Sequence, residues 1–556
     1  MIKLFDTTLR DGSQAEGISF SPHDKLLIAQ ELDRLGVQYI EGGWPGSNPK
    51  DIQFFKDAKK VKFKHARLTA FGSTRRKDTR ASDDANLKAI ASSGASVACI
   101  FGKSWDMQVI QALRTTLDEN VKMIHDSVKY LRSRKLEVIY DAEHFFDGYR
   151  ANPGYALKTL NAAFDGGASN LTLCDTNGGS IPTQIAEAVH AVRSALPQAE
   201  LGIHTHNDSG CAVANALAAV EAGVLLVQGV VNGFGERCGN ADITTIIANL
   251  KLKMNYAVVS DEQLRALTQI SRVISEIANV VPDDRQPYVG NSAFAHKGGV
   301  HVSAVSRHAA TYEHIDPAVV GNQRRILVSE LSGKSNVLMK SRALEGHETA
   351  SAAVLELLKK KELEGYHFEG AEASFELLVQ RALGKHKPAF DLESYRVSVE
   401  SAPSSGASPA LPPLQLRRTP TPQWRLAPSP RGREQGVRHG VPGVVTEATV
   451  KLRVGGKSDH TVGEGDGPVN ALDNALRRGL EKFYPSLKTM SLTDFKVRVV
   501  NASAGTAAKV RVLIESRDKK DEWTTMGVST NLIEASWLAL VDAVEYKLFK
   551  DRPKSR

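Results

Sequence analysis

The chain has 556 residues, 42% of them hydrophobic and 24% charged, with a formal net charge of +8. That length and apolar share support two to four domains with real cores and exclude wholesale disorder, and no window approaches the roughly 18 uninterrupted apolar residues of a membrane span. The positive charge is local: six arginines against one glutamate fall between Ser401 and Thr446, which leaves little for a nucleic-acid-binding face elsewhere.

The start, MIKLFDTTLRDG, lacks a basic region followed by a long apolar run, so no leader or membrane anchor is expected. Four widely spaced cysteines (Cys99, Cys174, Cys211 and Cys238) form no CxxC pair and fit a reducing compartment. A cytoplasmic protein with no nucleic-acid or membrane partner is the expectation.

In chain order, the strand-like runs are IKLFD, VQYIE, ARLTAF, SVACIF, LEVIYD, NLTLCD, LGIHTH and LLVQGVV. Each is followed by a helical pattern. The first helix has Ser21 as its cap, Pro22 at its first position and Asp24 in its first turn. Glycine closes several helices, as in DRLGV, ASSGAS and EAGVLL. Eight βα units in about 250 residues predict an α/β chain whose residues 1–270 form a (β/α)8 TIM barrel; an open doubly wound sheet shares the rhythm, but the count favours the barrel.

Residues 271–387 read as helical linker subdomains, with polar breaks at HKGGVHVSAVSRH and HIDPAVVGNQ. Residues 388–556 read as a small α+β domain that starts with SYRVSVE and resumes with EATVKLRV. Between these two runs, 401–446 is rich in Pro, Ser, Gly and Arg without periodicity, and a disordered insert is expected there.

Active sites of such barrels are built at the C-terminal ends of the strands. Alternation along LGIHTH turns His204 and His206 to one face, either as two metal ligands or as hydrogen-bonding groups where a strand leaves the core. The first strand runs into DTTLRDG, bringing Asp6, Arg10 and Asp11 to the rim, and the eighth runs into NGFGERCGNAD with Glu236 and Asn240. Asp11, His204 and His206, with Asn240 as an outer or fourth ligand, make a mixed oxygen and imidazole set suited to Mg, Mn or Zn. Arg10 can stabilise charge developing on a carbonyl oxygen or form a salt bridge with Glu41 or Glu143. Glu143 can act as an acid/base or orient substrate, and Thr176 can bind a carboxylate or stabilise its turn.

Together, DTTLRDG, HTHND and NGFGERCGNAD resemble the acyl-CoA condensing branch of the metal-dependent barrel lyases and synthases, the family of 2-isopropylmalate, homocitrate and citramalate synthases. AFAHKGGVHVSAV and YEHIDPAVVGN resemble that family's linker motifs. GDGPVNALDNALR and NASAGTAAKVRVLIE resemble its C-terminal amino-acid-sensing, dimerising domain. The loop EGGWPGSNPKD is most similar to the citramalate branch.

The resemblance implies a Claisen-type condensation of acetyl-CoA with a 2-oxoacid on a divalent metal, followed by thioester hydrolysis. Pyruvate is the expected 2-oxoacid, and 2-oxoisovalerate is the alternative of the isopropylmalate branch. It also implies that His301 and Tyr312 assist proton transfer in an obligate homodimer, and that isoleucine, or leucine in the other branch, is the effector. A lyase of the 3-hydroxy-3-methylglutaryl-CoA type shares DTTLRDG but generally lacks the sensing domain. No biotin-acceptor AMKM segment occurs. A catalytically silent amino-acid sensor is the alternative of a different class. The family normally joins SYRVSVE to EATVKLRV by a short turn, so 401–446 is a departure, either a tolerated loop or an out-of-frame stretch.

Overall fold

Near-continuous runs of Val, Ile, Leu and Phe need cover on both faces, and parallel strands wrapped by helices provide it. The computed structural model describes residues 2–327, 348–401, 444–500, 508–519 and 521–552. They form two units, Met1–Ala295 with Glu313–Arg325, and His296–Tyr312 with Ile326–Arg556.

The first unit is a closed parallel barrel of β1 (Lys3–Asp6), β2 (Tyr39–Gly43), β3 (Arg67–Ser73), β4 (Val97–Lys103), β5 (Glu137–Glu143), β6 (Asn170–Asp175), β7 (Leu201–Thr205) and β8 (Leu226–Gly229). Closure comes from β1 pairing with both β2 and β8, Phe5 opposite Tyr39 and Lys3 opposite Leu226. The first outer helix, Pro22–Leu35, begins with a reciprocal Ser21–Asp24 capping box and ends at Gly36, whose φ of 90° suits a residue without a Cβ. It buries Ile28, Ala29, Leu32 and Leu35 against the barrel.

Inside the barrel, Phe5, Tyr39, Phe71, Val97, Cys99, Ile139 and Leu226 form an apolar cluster. Two residues further along the same strands, the inward positions turn polar: Glu41 on β2, Asp141 on β5 and Gln228 on β8, each at most 4% exposed. This change of layer sets the chemistry at the mouth. His206 lies one residue beyond β7, where it bridges to Asn240.

The segment 271–387, expected as linker subdomains, is divided between the units. Tyr288, Val289, Phe294 and Val320 are buried in the barrel's own core, and that burial draws their stretches into the first unit.

The second unit contains a duplicated motif of three antiparallel strands and a helix. Strands Asp391–Ser401, Val444–Val454 and Lys457–Gly465 precede helix Pro468–Leu480; strands Ser491–Val499, Val510–Arg517 and Glu522–Ser529 precede helix Leu532–Asp551. In each half a threonine hydroxyl donates to a helix carbonyl at 2.8 Å, Thr461 to Ala475 and Thr525 to Ala539. A glycine two residues on lets helix and sheet touch: a Cβ at Gly463 or Gly527 would collide with helix backbone.

The halves differ where helix meets first strand. Trp537 stacks on Tyr395 at 5.2 Å, whereas the equivalent Asp473 and Phe495 line a cavity of about 570 Å3 with Asn470, Arg477 and Leu492. Of the expected insert 401–446, the two ends are strand: Ser401 pairs with Val444, and the β-branched run Val444-Val445-Thr446 continues the ladder. Residues 402–443 lie outside the described residues.

Candidate active site

The loop after β1 is tied down by its own sequence. Asp6 accepts hydrogen bonds from the Thr8 amide (2.9 Å) and the Thr8 hydroxyl (2.8 Å), and that hydroxyl accepts from Val231 N beyond β8. Asp6, expected at the rim, is therefore a buried anchor outside the cavity. Its work is to present Arg10 and Asp11.

Arg10 donates from Nε to Glu41 Oε2 at 2.6 Å, lies 3.2 Å from Asp11 Oδ1 through Nη1, and covers the Phe71 ring at 3.8 Å. Of the two salt-bridge partners considered, Glu41 holds it; Glu143 pairs with Lys103 instead. The guanidinium still lines the cavity. Glu41 and Asp141 also form a buried group with Cys99, but Arg10 already compensates it, so it is an acid cluster under the site rather than a second cation cage.

Asp11, His204 and His206 each offer a ligand atom within 4.8 Å of the others. Asp11 Oδ2 is 3.2 Å from His204 Nε2, which is 3.2 Å from His206 Nε2. Burial and the neighbouring His204 push His206 down to about 3, leaving a neutral imidazole with a lone pair. Burial pushes Asp11 up, but Arg10 and the His204 hydrogen bond outweigh it and hold Asp11 below the usual carboxylate range. The Asn240 Oδ1 is buried without a hydrogen-bond partner, while its Nδ2 donates to Phe234 O. One ionised carboxylate, two converging imidazoles and an orphaned amide oxygen fit a divalent cation.

The cavity beside this trio measures about 220 Å3. One wall is aromatic: Trp44 meets Phe71 and Phe101 edge-on, each at 5.7 Å, and these two stack at 5.4 Å. The loop EGGWPGSNPKD sets that wall, with Asp51 accepting from Trp44 N at 2.8 Å and Asn86 Oδ1 from Trp44 Nε1 at 2.6 Å. Glu143 and Thr176 also line the cavity. Thr176 Oγ1 accepts from His144 N, just beyond β5, at 2.8 Å. Asp208 holds Arg237 in two hydrogen bonds, at 2.8 and 2.9 Å, and Glu236 stands beside it on the rim. His301 and Tyr312 belong to the second unit, are solvent-exposed, and stack on each other at 4.1 Å.

Reasoning from residue types passed over Gln228, Asp141 and the aromatic wall. The signal for the first two was available: strand alternation puts Gln228 of LLVQGVV and Asp141 of LEVIYD on the inner face. The wall needed three strands brought together.

Burial pushes the Asp6 carboxyl up to about 7, against the hydrogen bonds from Thr8. The folded chain thus keeps this proton at a pH where the unfolded chain has lost it, so stability falls as pH rises from about 4 to about 7. Asp6→Asn is expected to remove roughly 3 kcal/mol of the decline between pH 5 and pH 8 in metal-free protein. Thermal melts at both pH values check this; an undiminished decline would show that Asp6 titrates normally.

A barrel with a carboxylate and two imidazoles converging at its mouth, and an arginine beside them, fits a metal-dependent barrel enzyme of the HMGL-like class, and residues 1–274 match that family. Residues 288–362 match the homocitrate synthase post-HMGL domain-like family, and 436–548 match the LeuA allosteric (dimerisation) domain. Among known proteins, the chain is 52% identical to an (R)-citramalate synthase of Geobacter sulfurreducens, over 99% of this chain and 98% of that one. It is 49% identical to an (R)-citramalate synthase of Aquifex aeolicus over the same shares. A 2-isopropylmalate synthase of Heliobacterium modesticaldum is 29% identical, over 100% of this chain and 98% of its own. The chain belongs to the (R)-citramalate synthase family. Among the described residues no helix is long and apolar enough to cross a membrane.

Proposed function

We propose that the chain condenses acetyl-CoA with pyruvate and hydrolyses the thioester, releasing (R)-citramalate and CoA in the isoleucine pathway. The observation that carries this reading is the pairing of the Asp11–His204–His206 trio with Arg10 at the mouth of a small aromatic-walled cavity. A divalent cation held by Asp11, His204, His206 and Asn240 supplies Lewis-acid polarisation of the 2-oxoacid ketone when bound. Arg10, oriented by Glu41 and Phe71, stabilises the oxyanion that forms as the enolate carbon attacks. Glu143 and Thr176 orient the 2-oxoacid, and Trp44, Phe71 and Phe101 exclude water and limit the size of its side chain. His301 and Tyr312 are assigned to proton transfer at the barrel of a second copy in a homodimer. Their exposure and mutual stacking support that role.

Residues 1–270 are assigned to catalysis, 271–387 to linking, and 388–556 to dimerisation and effector binding in a cytoplasmic enzyme. The cavity between helix Pro468–Leu480 and strand Ser491–Val499 suits an apolar amino acid: Asp473 and Arg477, paired with each other at 2.8 Å, give it a polar side, and Leu492 and Phe495 offer apolar surface. Isoleucine is the proposed effector.

Thiol release from acetyl-CoA, measured across pyruvate, 2-oxobutyrate, 2-oxoisovalerate and 2-oxoglutarate, tests the reading, with isoleucine and leucine added in turn. Pyruvate is expected to be preferred, and preference for 2-oxoisovalerate would overturn the assignment. Phe101→Ala is expected to raise kcat/KM for 2-oxoisovalerate relative to pyruvate roughly 10- to 100-fold, since added methylenes in an apolar pocket carry such ratios.

A further inference from the structure

Beneath the cation ligands runs a buried hydrogen-bond chain to which the proposed chemistry assigns no role. Gln228 Oε1 lies 2.8 Å from His204 Nδ1, and Gln228 Nε2 lies 2.8 Å from Asp141 Oδ1 and 3.4 Å from Thr172 Oγ1. These four residues, on β8, β7, β5 and β6, are each at most 6% exposed.

The orientation of the Gln228 amide follows from what surrounds it. Thr172 spends its hydroxyl hydrogen on Asn170 Oδ1 at 3.0 Å, so it turns lone pairs toward Gln228. The Thr172 lone pair requires a donor, the Asp141 oxygen facing Gln228 accepts one, and Nε2 has two hydrogens to give them. Oε1, which can only accept, is left facing His204 Nδ1. The proton on Nδ1 is therefore retained, and the nitrogen that gives up its proton to bind a cation is Nε2, the atom beside Asp11 and His206. The opposite tautomer would press two lone pairs together in a buried site.

His206 has no such support, since its Nδ1 is buried without a hydrogen-bond partner. Control of the ligand tautomers thus falls on one of the two imidazoles.

We infer that Gln228, anchored by Asp141 and Thr172, is a positioning residue that locks His204 in the tautomer with its lone pair on Nε2 and so sets the affinity of the site for a divalent cation. This rests on the cation site proposed above. Partners of this kind behind metal-bound histidines are worth 10–100-fold in affinity.

The test titrates full-length, chelator-stripped protein with Co2+ in competition with a chromogenic chelator, following the cobalt absorption bands and the melting temperature of the metal-free form. Gln228→Leu, which removes the acceptor, is expected to weaken Co2+ binding 10- to 100-fold. The double variant Asp141→Asn with Gln228→Glu exchanges the acid and the amide. The amide placed on β5 then donates to the carboxylate placed on β8, which still accepts from His204 Nδ1, and only the long 3.4 Å contact with Thr172 is given up. This variant is expected to bind Co2+ within threefold of the unsubstituted protein or more tightly.

A folded Gln228→Leu protein with affinity within threefold of the unsubstituted protein would overturn the inference, as would a double variant no better than Gln228→Leu. If Gln228→Leu does not fold, the double variant decides alone, a tenfold loss counting against the inference. Unsubstituted protein that takes up no Co2+ would remove the cation site itself, a failure distinct from these.

Discussion

Arg10→Ala is expected to lower CoA release at least 10²- to 10³-fold, the range for losing one preorganised charge at a developing oxyanion, while Co2+ binding persists. The same change leaves Glu41, fully buried, without its 2.6 Å partner. Removing one member of a buried ion pair typically costs about 3–5 kcal/mol. Burial, opposed by Arg10, already pushes Glu41 up to about 7, so the orphaned acid can take a proton and soften the penalty. Arg10→Ala combined with Glu41→Gln separates the two effects. The melting temperature is expected to recover in the double variant and the thiol-release rate is not. Recovery of both would reduce Arg10 to a structural salt bridge; an unchanged rate in the single variant would end its catalytic role.

Asp11→Ala is the second large effect. Asp11 is 3% exposed and offers the trio's carboxylate, already ionised by Arg10's field. Its loss is expected to weaken cation binding by more than about 100-fold, beyond what outer partners contribute, and to bring CoA release to background. Chelation should do the same to the unsubstituted protein, with one difference: re-added Mg2+, Mn2+ or Zn2+ restores that protein and leaves the variant silent. Restoration of the variant by the same metal concentrations would show that the two histidines suffice. Thiol release before and after dialysis against chelator measures both.

Much of this site was visible in the order of residues, for reasons that are local. A strand shows alternate residues to one face, so HTH already says that two imidazoles share a side, and the chain confirms it with Nε2 atoms 3.2 Å apart. The capping box at Ser21 and Asp24 is likewise a property of four consecutive residues. Arg10's partner was harder. Glu41 lies within β2 and Glu143 ends β5, and only barrel geometry shows that Arg10 reaches Glu41 while Lys103, on the adjacent β4, takes Glu143. The insert was read by composition, and its ends were misplaced because a β-branched triplet beside a Pro-rich tract joins the strand once a partner lies opposite.

By itself the sequence determined the eight-unit rhythm and the donor types at the first, seventh and eighth strand ends. Each of these depends on neighbours a few residues apart. Tertiary structure alone decided which groups meet: Gln228 with Asp141 across 87 residues, Arg10 with Glu41, and Trp44 with Phe71 and Phe101. Hydrogen bonds and ring contacts act over a few ångströms, and only closure of the barrel brings distant strands that near. That closure sets the two imidazoles beside Asp11 and lays Gln228, on the last strand, 2.8 Å from His204 Nδ1.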